Sequence, residues 1–156
     1  HGGLGLELVE DVPDLARVLI PVGGGGLIGG TASAIKGLRR GVEVIGVQSD
    51  GYALWTQALE AGGPVSITPE TIADGTTAPF DERMLGLMKE VVDRWLTVPE
   101  PRLRAAIAEL AVAGKVVAEG AGALAYAALE QLPPGPATVA VVSGGNIDPK
   151  LLASLL

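Results

Sequence analysis

The chain has 156 residues, a length typical of one domain, and 48% of them are hydrophobic, which is enough for a buried core. A net charge of −7 with only 3% aromatic residues argues against nucleic-acid binding, which needs cationic and stacking side chains. With no cysteine and one histidine, a disulfide, a thiolate metal site or a serine–histidine hydrolase is not expected. No apolar run reaches the ~18 residues of a membrane span and no signal-like segment is visible, so we expect a cytoplasmic protein.

Apolar, β-branched runs alternate with helical patterns along the chain. Strands are predicted at residues 17–22, 42–47, 95–98 and 138–142. Helices are predicted at residues 5–10, 27–40, 53–61, 82–92, 100–113, 121–131 and 149–156. The first, second and last strands are almost wholly apolar, as in strands that are covered on both faces. This order predicts an α/β fold with a doubly wound, mostly parallel sheet and helices on both faces, where ligands bind beyond the carboxyl ends of the strands.

A glycine-rich segment at residues 22–31 follows the first predicted strand and opens a helix. Successive glycines let several backbone N–H groups converge on one anion, and the positive end of the helix favours a phosphate. A tight turn without a ligand is the alternative, although one or two glycines would be enough for it. The segment also satisfies the G-x-G-x-x-G pattern of dinucleotide binding, but Gln48 stands near the place of the acidic ribose-binding residue, so that match is partial.

Three shorter motifs carry polar groups that can face a ligand. Ser143 and two glycines follow the last predicted strand; the alternative is a serine that caps the next helix. Asp74 and Gly75 lie in residues 66–79, a stretch without periodicity that we predict to be a long loop, and by themselves they form only a turn. Glu119 precedes a helix start rich in small residues, where a carboxylate can simply cap the helix.

Together and in this order, the four motifs resemble the serine/threonine dehydratase family of pyridoxal-phosphate (PLP) enzymes of fold type II, which includes threonine ammonia-lyases and serine racemases. The resemblance rests on a phosphate loop at residues 21–27, an A-D-G segment at 73–75, a segment at 116–123 with Gly120 in place of the family's proline, and an S-G-G-N segment at 143–146. It extends from about residue 2 to residue 148, nearly the whole chain.

The resemblance implies PLP as the cofactor and assigns roles to individual residues. The cofactor-binding residues would be Gly23, Gly24, Gly25, Gly26, Leu27, Ser143, Gly144 and Asn146. The N–H groups of the first five would hold the phosphate, and the Ser143 hydroxyl would meet the pyridine nitrogen. A neutral hydroxyl leaves that nitrogen largely unprotonated, which suits β-elimination better than transamination. Glu119 would lie near the cofactor as the one candidate catalytic residue.

The resemblance also implies that residues 1–156 are a C-terminal part, one α/β domain that forms most of the large PLP-binding domain. Residues 1–7 resemble a helix start from the middle of family proteins, so the N-terminal half, with the small domain and the Schiff-base lysine, would be missing. None of the lysines of this chain matches the Schiff-base position; they are Lys36, Lys89, Lys115 and Lys150. The chain alone is therefore expected to be inactive, and Lys36 is expected to be a solvated side chain. Gln48 and Leu54 stand where members with a cation site carry acidic residues, so no metal site is expected.

The complete protein would be a PLP-dependent hydroxy-amino-acid dehydratase, a threonine or serine ammonia-lyase that forms a 2-oxo acid and ammonia by β-elimination. A serine or aspartate racemase of the same family is one alternative. A nucleotide-binding Rossmann-type module that takes NAD without PLP chemistry is the other. The expected partners are a small amino-acid substrate, the missing N-terminal half and further copies in a homo-oligomer, with no nucleic acid and no membrane.

Overall fold

Strands and helices alternate along the chain, and the computed structural model describes all residues from 1 to 156. The strands are β1 (Arg17–Pro21), β2 (Glu43–Ser49), β3 (Arg94–Val98) and β4 (Thr138–Ala140). The helices are α1 (Gly2–Asp11), α2 (Gly26–Leu38), α3 (Leu54–Ala61), α4 (Glu82–Val91), α5 (Glu100–Val112), α6 (Gly120–Ala127) and α7 (Pro149–Leu155). Single 3₁₀ turns occur at Asp50–Tyr52, Asp74–Thr76 and Leu129–Gln131. Every predicted element is present with its ends shifted by a few residues, and no helix has the length and apolar character that a membrane span requires.

The four strands form one parallel sheet in the order β3-β2-β1-β4. In the register of β1, Arg17 pairs with Glu43 on one side and with Thr138 on the other. Because the strands are parallel, the carboxyl ends of β1 and β4 lie at the same end of the sheet. The glycine-rich segment after β1 and Ser143 after β4 therefore emerge side by side.

Helices cover both faces of the sheet, which confirms the doubly wound architecture. Successive residues of β1 point to opposite faces, so Val18 and Ile20 enter one core cluster and Leu19 enters the other. The first cluster includes residues of α2, α3 and α4, and the second includes residues of α5 and α6, with α7 packed against it. The near-continuous apolar pattern of β1 and β2 reflects this double coverage.

β4 departs from the prediction that the last strand is covered on both faces. Its three residues, Thr138 to Ala140, are only half-buried, and Val142 just beyond them is exposed. The reason is position, because β4 lies at the edge of the sheet and pairs with β1 alone. Apolar content alone does not distinguish an edge strand from a central one.

The predicted loop at residues 66–79 is confirmed, apart from the short turn Asp74–Thr76. The carboxylate of Glu100, at the start of α5, fixes the middle of this loop. Glu100 accepts hydrogen bonds from the Ser49 hydroxyl at 2.6 Å, from the Thr71 hydroxyl, and from the Ile72 N–H at 3.0 Å. The end of β2 and the approach to Asp74–Thr76 are thereby tied to one helix start.

The prediction that Lys36 is a solvated side chain is wrong. Its side chain is 18% exposed, and Nζ donates to Asp93 Oδ2 at 2.6 Å and to the Val42 carbonyl at 2.8 Å. Asp93 Oδ2 also accepts from the Val44 N–H at 2.6 Å. The lysine is held because the starts of β2 and β3 bring acceptors within its reach, a tertiary arrangement that helix periodicity does not reveal.

Candidate cofactor site

The chain leaves β1 through residues 23–27, named here the glycine loop. Gly25 has φ +92°, a left-handed conformation that favours glycine, and it stands at the N-cap of α2 without any side-chain cap. None of the backbone N–H groups from Gly23 to Ile28 donates to another backbone group. Because these donors include the first turn of α2, they lie at the positive end of the helix. The loop therefore offers a row of free donors to an anion.

The turn Asp74–Thr76 packs directly against the glycine loop. A Cβ atom at Gly23 would lie 3.0 Å from Thr76 Cα and 3.3 Å from the Gly75 carbonyl oxygen, so the two backbones approach as closely as a glycine allows. The Thr76 hydroxyl donates to the Ala73 carbonyl at 2.7 Å and closes the turn. The segment Asp74–Thr76 is therefore a turn, as Asp74 and Gly75 by themselves predict, and it also forms one wall of the site.

Ser143 lies just beyond β4 with an exposed side chain and faces the glycine loop across a cavity. The helix-capping alternative for this serine is wrong, because α7 begins only at Pro149. Its cap is Asp148, whose carboxylate accepts from the Lys150 N–H at 2.6 Å. The Ser143 hydroxyl makes no hydrogen bond within the protein, so it is available to a ligand.

Glu119 stands at the N-cap of α6, but its side chain makes no capping hydrogen bond. Its backbone N–H donates to the Gly144 carbonyl at 3.1 Å, which joins the start of α6 to the segment after β4. A Cβ atom at Gly144 would clash with the Glu119 carboxylate, and one at Gly75 would lie 3.7 Å from Glu119 Oε1. The carboxylate therefore fits between two glycines, and the simple capping interpretation does not explain it.

These segments enclose a cavity of about 210 Å³. Its wall consists of Pro21, residues 23–28, Gly75, Thr76, Glu119, Ala121 and Ser143. The structure thus brings the glycine loop, Glu119 and Ser143 together, while Gly144 contributes through its contact with Glu119. Asn146 does not line this cavity; it lines a neighbouring pocket with Asp74 and Asp148. None of the lysines lines the cavity either.

Glu119 is the only titratable side chain in the cavity wall. Arg and Lys are absent from it, so the charge of a bound anion would be met by N–H groups and the helix dipole. The shifted pKa values belong to pairs elsewhere. Hydrogen bonds from Arg83 lower the pKa of Asp81, and a side-chain hydrogen bond from Arg102 lowers the pKa of Glu109. A wider cleft of about 400 Å³ between α2 and α4 contains Lys36 and Asp93, which are already paired.

Comparison with known proteins identifies the origin of this arrangement. Residues 1–144 match the family model described as pyridoxal-phosphate dependent enzyme. The chain belongs to this family. The family membership confirms the resemblance that the four motifs indicate, and pyridoxal phosphate is accordingly the cofactor.

The curated relatives are named for one reaction. The chain is 41% identical over 161 residues to the L-threonine ammonia-lyase of Thermotoga maritima, a match that covers 100% of this chain and 40% of the relative. It is 40% identical over 155 residues to the L-threonine dehydratase catabolic TdcB of Escherichia coli K12, with 95% of this chain and 47% of the relative covered. The chain therefore spans less than half the length of these relatives.

Solved structures agree with the fold. A threonine deaminase from T.th. superposes with a TM-score of 0.87 at 36% identity, over 94% of this chain and 57% of that one. Maize serine racemase superposes with a TM-score of 0.89 at 28% identity, over 98% of this chain and 50% of that one.

The cavity fits the phosphate and ring of PLP on its own chemistry. The glycine loop supplies unpaired donors beside Gly75 and Thr76, where a side chain at Gly23 would collide with the cavity wall, and Ser143 supplies an unpaired hydroxyl. NAD fits less well, because the Gln48 amide is 1% exposed and its Oε1 already accepts from the N–H groups of Trp55 and Thr56. Gln48 is therefore not free to hold a ribose.

Sequence patterns did not predict three contributors to this site. Thr76 follows the A-D-G segment directly, so its proximity to that motif was the available signal. Trp55 carries no local signal, because it reaches the Gly23 carbonyl across 32 residues. The motifs place Gln48 only where a ribose-binding or cation-binding residue would stand, and they do not indicate its contact with the N-terminus of α3. Contacts of this kind depend on the packing of α3 against the sheet.

Proposed function

We propose that this chain is the cofactor-binding part of a PLP-dependent hydroxy-amino-acid dehydratase, a threonine or serine ammonia-lyase. The observation that carries the proposal is the cavity in which free backbone donors of the glycine loop face the unpaired Ser143 hydroxyl. The names of the curated relatives support the reaction class. The full-length protein would convert L-threonine or L-serine to a 2-oxo acid and ammonia by β-elimination.

The residues of the cavity have separate tasks in this proposal. The N–H groups of Gly23 to Leu27 bind the phosphate and fix the cofactor's position, with no cation beside them. Ser143 donates to the pyridine nitrogen without transferring a proton to it. When bound, PLP supplies the electron sink that stabilises negative charge at the substrate Cα. Glu119 is the only carboxylate in the wall, and we assign it the task of exchanging protons near the ligand. Gly144 leaves room for the carboxylate, whereas Asn146, which lines the adjacent pocket, has a supporting place in the site.

The activity test uses the full-length protein loaded with PLP. We expect 2-oxo acid and ammonia to form in equal amounts from L-threonine or L-serine. Formation of D-serine from L-serine, or of D-aspartate when L-aspartate is supplied, without a 2-oxo acid would instead favour a racemase, the second candidate, which the structural match to maize serine racemase supports. Tight binding of NAD, with no new absorbance band near the edge of the visible range after PLP is added, would overturn the PLP proposal altogether.

Substitution of Ser143 by alanine separates ring recognition from phosphate binding. We expect elimination to fall about tenfold or more, the effect of one lost hydrogen bond in a reacting complex, while phosphate affinity changes little. Ser66→Ala, an exposed loop serine, is the control and should retain full activity. An equal loss of activity and of phosphate affinity in Ser143→Ala would show that Ser143 has only a structural role.

Three further features of the whole protein remain predictions. A lysine outside residues 1–156 would hold the cofactor covalently, and the N-terminal half of the full-length protein would carry this lysine together with a small domain. The full-length protein would be a homo-oligomer, which sedimentation analysis would test. Its cytoplasmic location would be tested by fractionation of the native host.

A further inference from the structure

We propose that Trp55 is a positioning residue of the phosphate site, and that its indole N–H orients the backbone donor of Gly24. The inference rests on the proposed function, since it takes the glycine loop as the phosphate-binding element. Trp55 lies at the start of α3, outside the cavity wall, and no motif points to it. Its single side-chain hydrogen bond is a 2.7 Å contact from Nε1 to the Gly23 carbonyl oxygen.

The planarity of the peptide unit links this contact to the site. The Gly23 carbonyl and the Gly24 N–H belong to the same peptide unit, and all peptide bonds of the chain are trans. In a trans unit the C=O and the N–H point in opposite directions. Trp55 is fully buried, so it draws the Gly23 carbonyl towards the core. The Gly24 N–H must then point away from the core, on the side where Gly24 lines the cavity.

A second contact, made by Gln48, holds the preceding peptide unit, which joins Val22 and Gly23. The Gln48 side chain reaches the Val22 carbonyl through Nε2 at 3.5 Å, a long hydrogen bond, and that unit carries the Gly23 N–H. The oxygen of the same amide accepts from the Trp55 N–H at 3.0 Å and from the Thr56 N–H at 3.2 Å. Because these two donors fix which end of the amide is the oxygen, Nε2 must face Val22. Gln48 therefore anchors both the loop and the tryptophan.

The indole ring has little freedom to move away from the loop. Its centroid lies 5.0 Å from that of Phe80 and 6.4 Å from that of Trp95, and its residue is 0% exposed. Glycine has no side chain with which to hold its own peptide planes, so a loop of consecutive glycines needs outside contacts to keep its donors aligned. The packed rings of Trp55, Phe80 and Trp95 make the hydrogen bond from Trp55 such a contact. A loop that is already held in place loses less conformational entropy when it binds an anion.

A pair of tryptophan substitutions tests the proposal in the full-length protein. Trp55→Phe keeps an aromatic ring against Phe80 and removes the indole donor. Trp95→Phe is the matched control, because Trp95 is in the same cluster and its indole makes no hydrogen bond within the protein. The affinities for inorganic phosphate and for PLP are measured by equilibrium dialysis, and thermal unfolding is followed in parallel.

We expect Trp55→Phe to bind both probes about fivefold more weakly, the effect of one lost hydrogen bond, and Trp95→Phe to bind them as the wild type does. Both variants lose some thermal stability, so a purely structural role would not separate them. If the wild type binds phosphate and Trp55→Phe binds it with equal affinity, the role of Trp55 is overturned while the phosphate site itself stands. Failure of the wild type to bind either probe would overturn the phosphate site and this inference with it.

A measurement on the wild type keeps the test decisive if Trp55→Phe does not fold. In ¹⁵N-labelled protein, phosphate is titrated while the indole N–H signals of Trp55 and Trp95 are observed. Binding at the Gly24 N–H polarises the Gly23 carbonyl and strengthens the bond from Trp55, because hydrogen bonds in a chain reinforce one another. We expect the Trp55 signal to move and the Trp95 signal to stay. Equal movement of both, or of neither, contradicts the inference.

Discussion

At the scale of single residues, the site depends on glycines that are needed for different reasons. Gly25 is needed for its backbone conformation, Gly23 for the close approach of Thr76, and Gly144 for the space that the Glu119 carboxylate occupies. Gly37 in α2, by contrast, faces open space and has no such requirement. A high glycine content is therefore informative only when each glycine is assigned its own constraint.

Substitution of these glycines by alanine separates constrained from unconstrained positions. Gly25→Ala forces a side chain into φ +92° and to 3.3 Å from the Met84 methyl, so we expect a loss of about 1–2 kcal/mol in the free energy of unfolding. Gly37→Ala, inside a helix and free of contacts, should raise it by up to about 1 kcal/mol. Urea unfolding measures both. A neutral Gly25→Ala with undiminished phosphate binding would contradict the conformational requirement at that position.

At the scale of elements, Arg102 connects α5 with the turn that follows α6. Its guanidinium donates to both Glu109 oxygens at 2.9 and 3.0 Å and lies over the Tyr126 ring. Nε is 2.9 Å from Glu130 Oε2, close enough for an ion pair although the N–H direction does not meet hydrogen-bond geometry. Burial lowers the pKa of Arg102, but the hydrogen bond to Glu109 and the charges of Glu109, Glu130 and Tyr126 together outweigh it and leave the pKa raised.

The Arg102–Glu109 pair predicts a small, pH-dependent contribution to stability. The hydrogen bond from Arg102 lowers the pKa of Glu109 below its ordinary value of 4.5, so the folded state favours the ionised carboxylate. The contribution is full above that ordinary value and is lost as the pH falls through the lowered one. Because the Glu109 side chain is 45% exposed, we expect Glu109→Gln to cost about 0.5 kcal/mol or less at neutral pH.

Urea unfolding of the wild type and Glu109→Gln at a series of pH values measures this contribution. The difference between the two proteins should be constant near neutral pH and should shrink below pH 4.5. Glu7→Gln, an exposed residue of α1 without an ion pair, is the control and should show no such difference. A difference that grows on acidification would have the wrong sign for this mechanism.

At the scale of the whole molecule, periodicity predicted the fold because parallel strands buried on both faces have nearly continuous apolar sequences. It did not separate the edge strand β4 from the central strands, since the burial of a strand depends on how many neighbouring strands it pairs with. Order in the sequence predicted that the glycine loop and Ser143 would meet, because both follow strands of one parallel sheet. The links made by Gln48, Trp55 and Glu100 could not be predicted, since they join residues distant in sequence through packing.

Residues 1–156, produced alone, test whether phosphate binding and elimination depend on different parts of the full-length protein. The proposed phosphate site lies within this chain, whereas none of the chain's lysines lines the cavity. We expect the isolated chain to bind inorganic phosphate and to form no 2-oxo acid from L-threonine or L-serine. ³¹P NMR and a 2-oxo acid assay measure the two properties, with Ser143→Ala as a control that should retain phosphate binding. Elimination by the isolated chain would contradict the proposed need for a lysine elsewhere.

The cavity wall has a kinetic consequence, because its one charged side chain is the Glu119 carboxylate and the chain as a whole carries a net charge of −7. An anionic ligand therefore approaches against a repulsive field and is attracted only within a few ångströms, where the N–H groups of the glycine loop act. Electrostatic steering, which accelerates association with basic sites, is absent here. If the glycine loop binds phosphate as proposed, salt that screens the repulsion should speed the encounter with a phosphorylated ligand, because the attraction then acts only at short range.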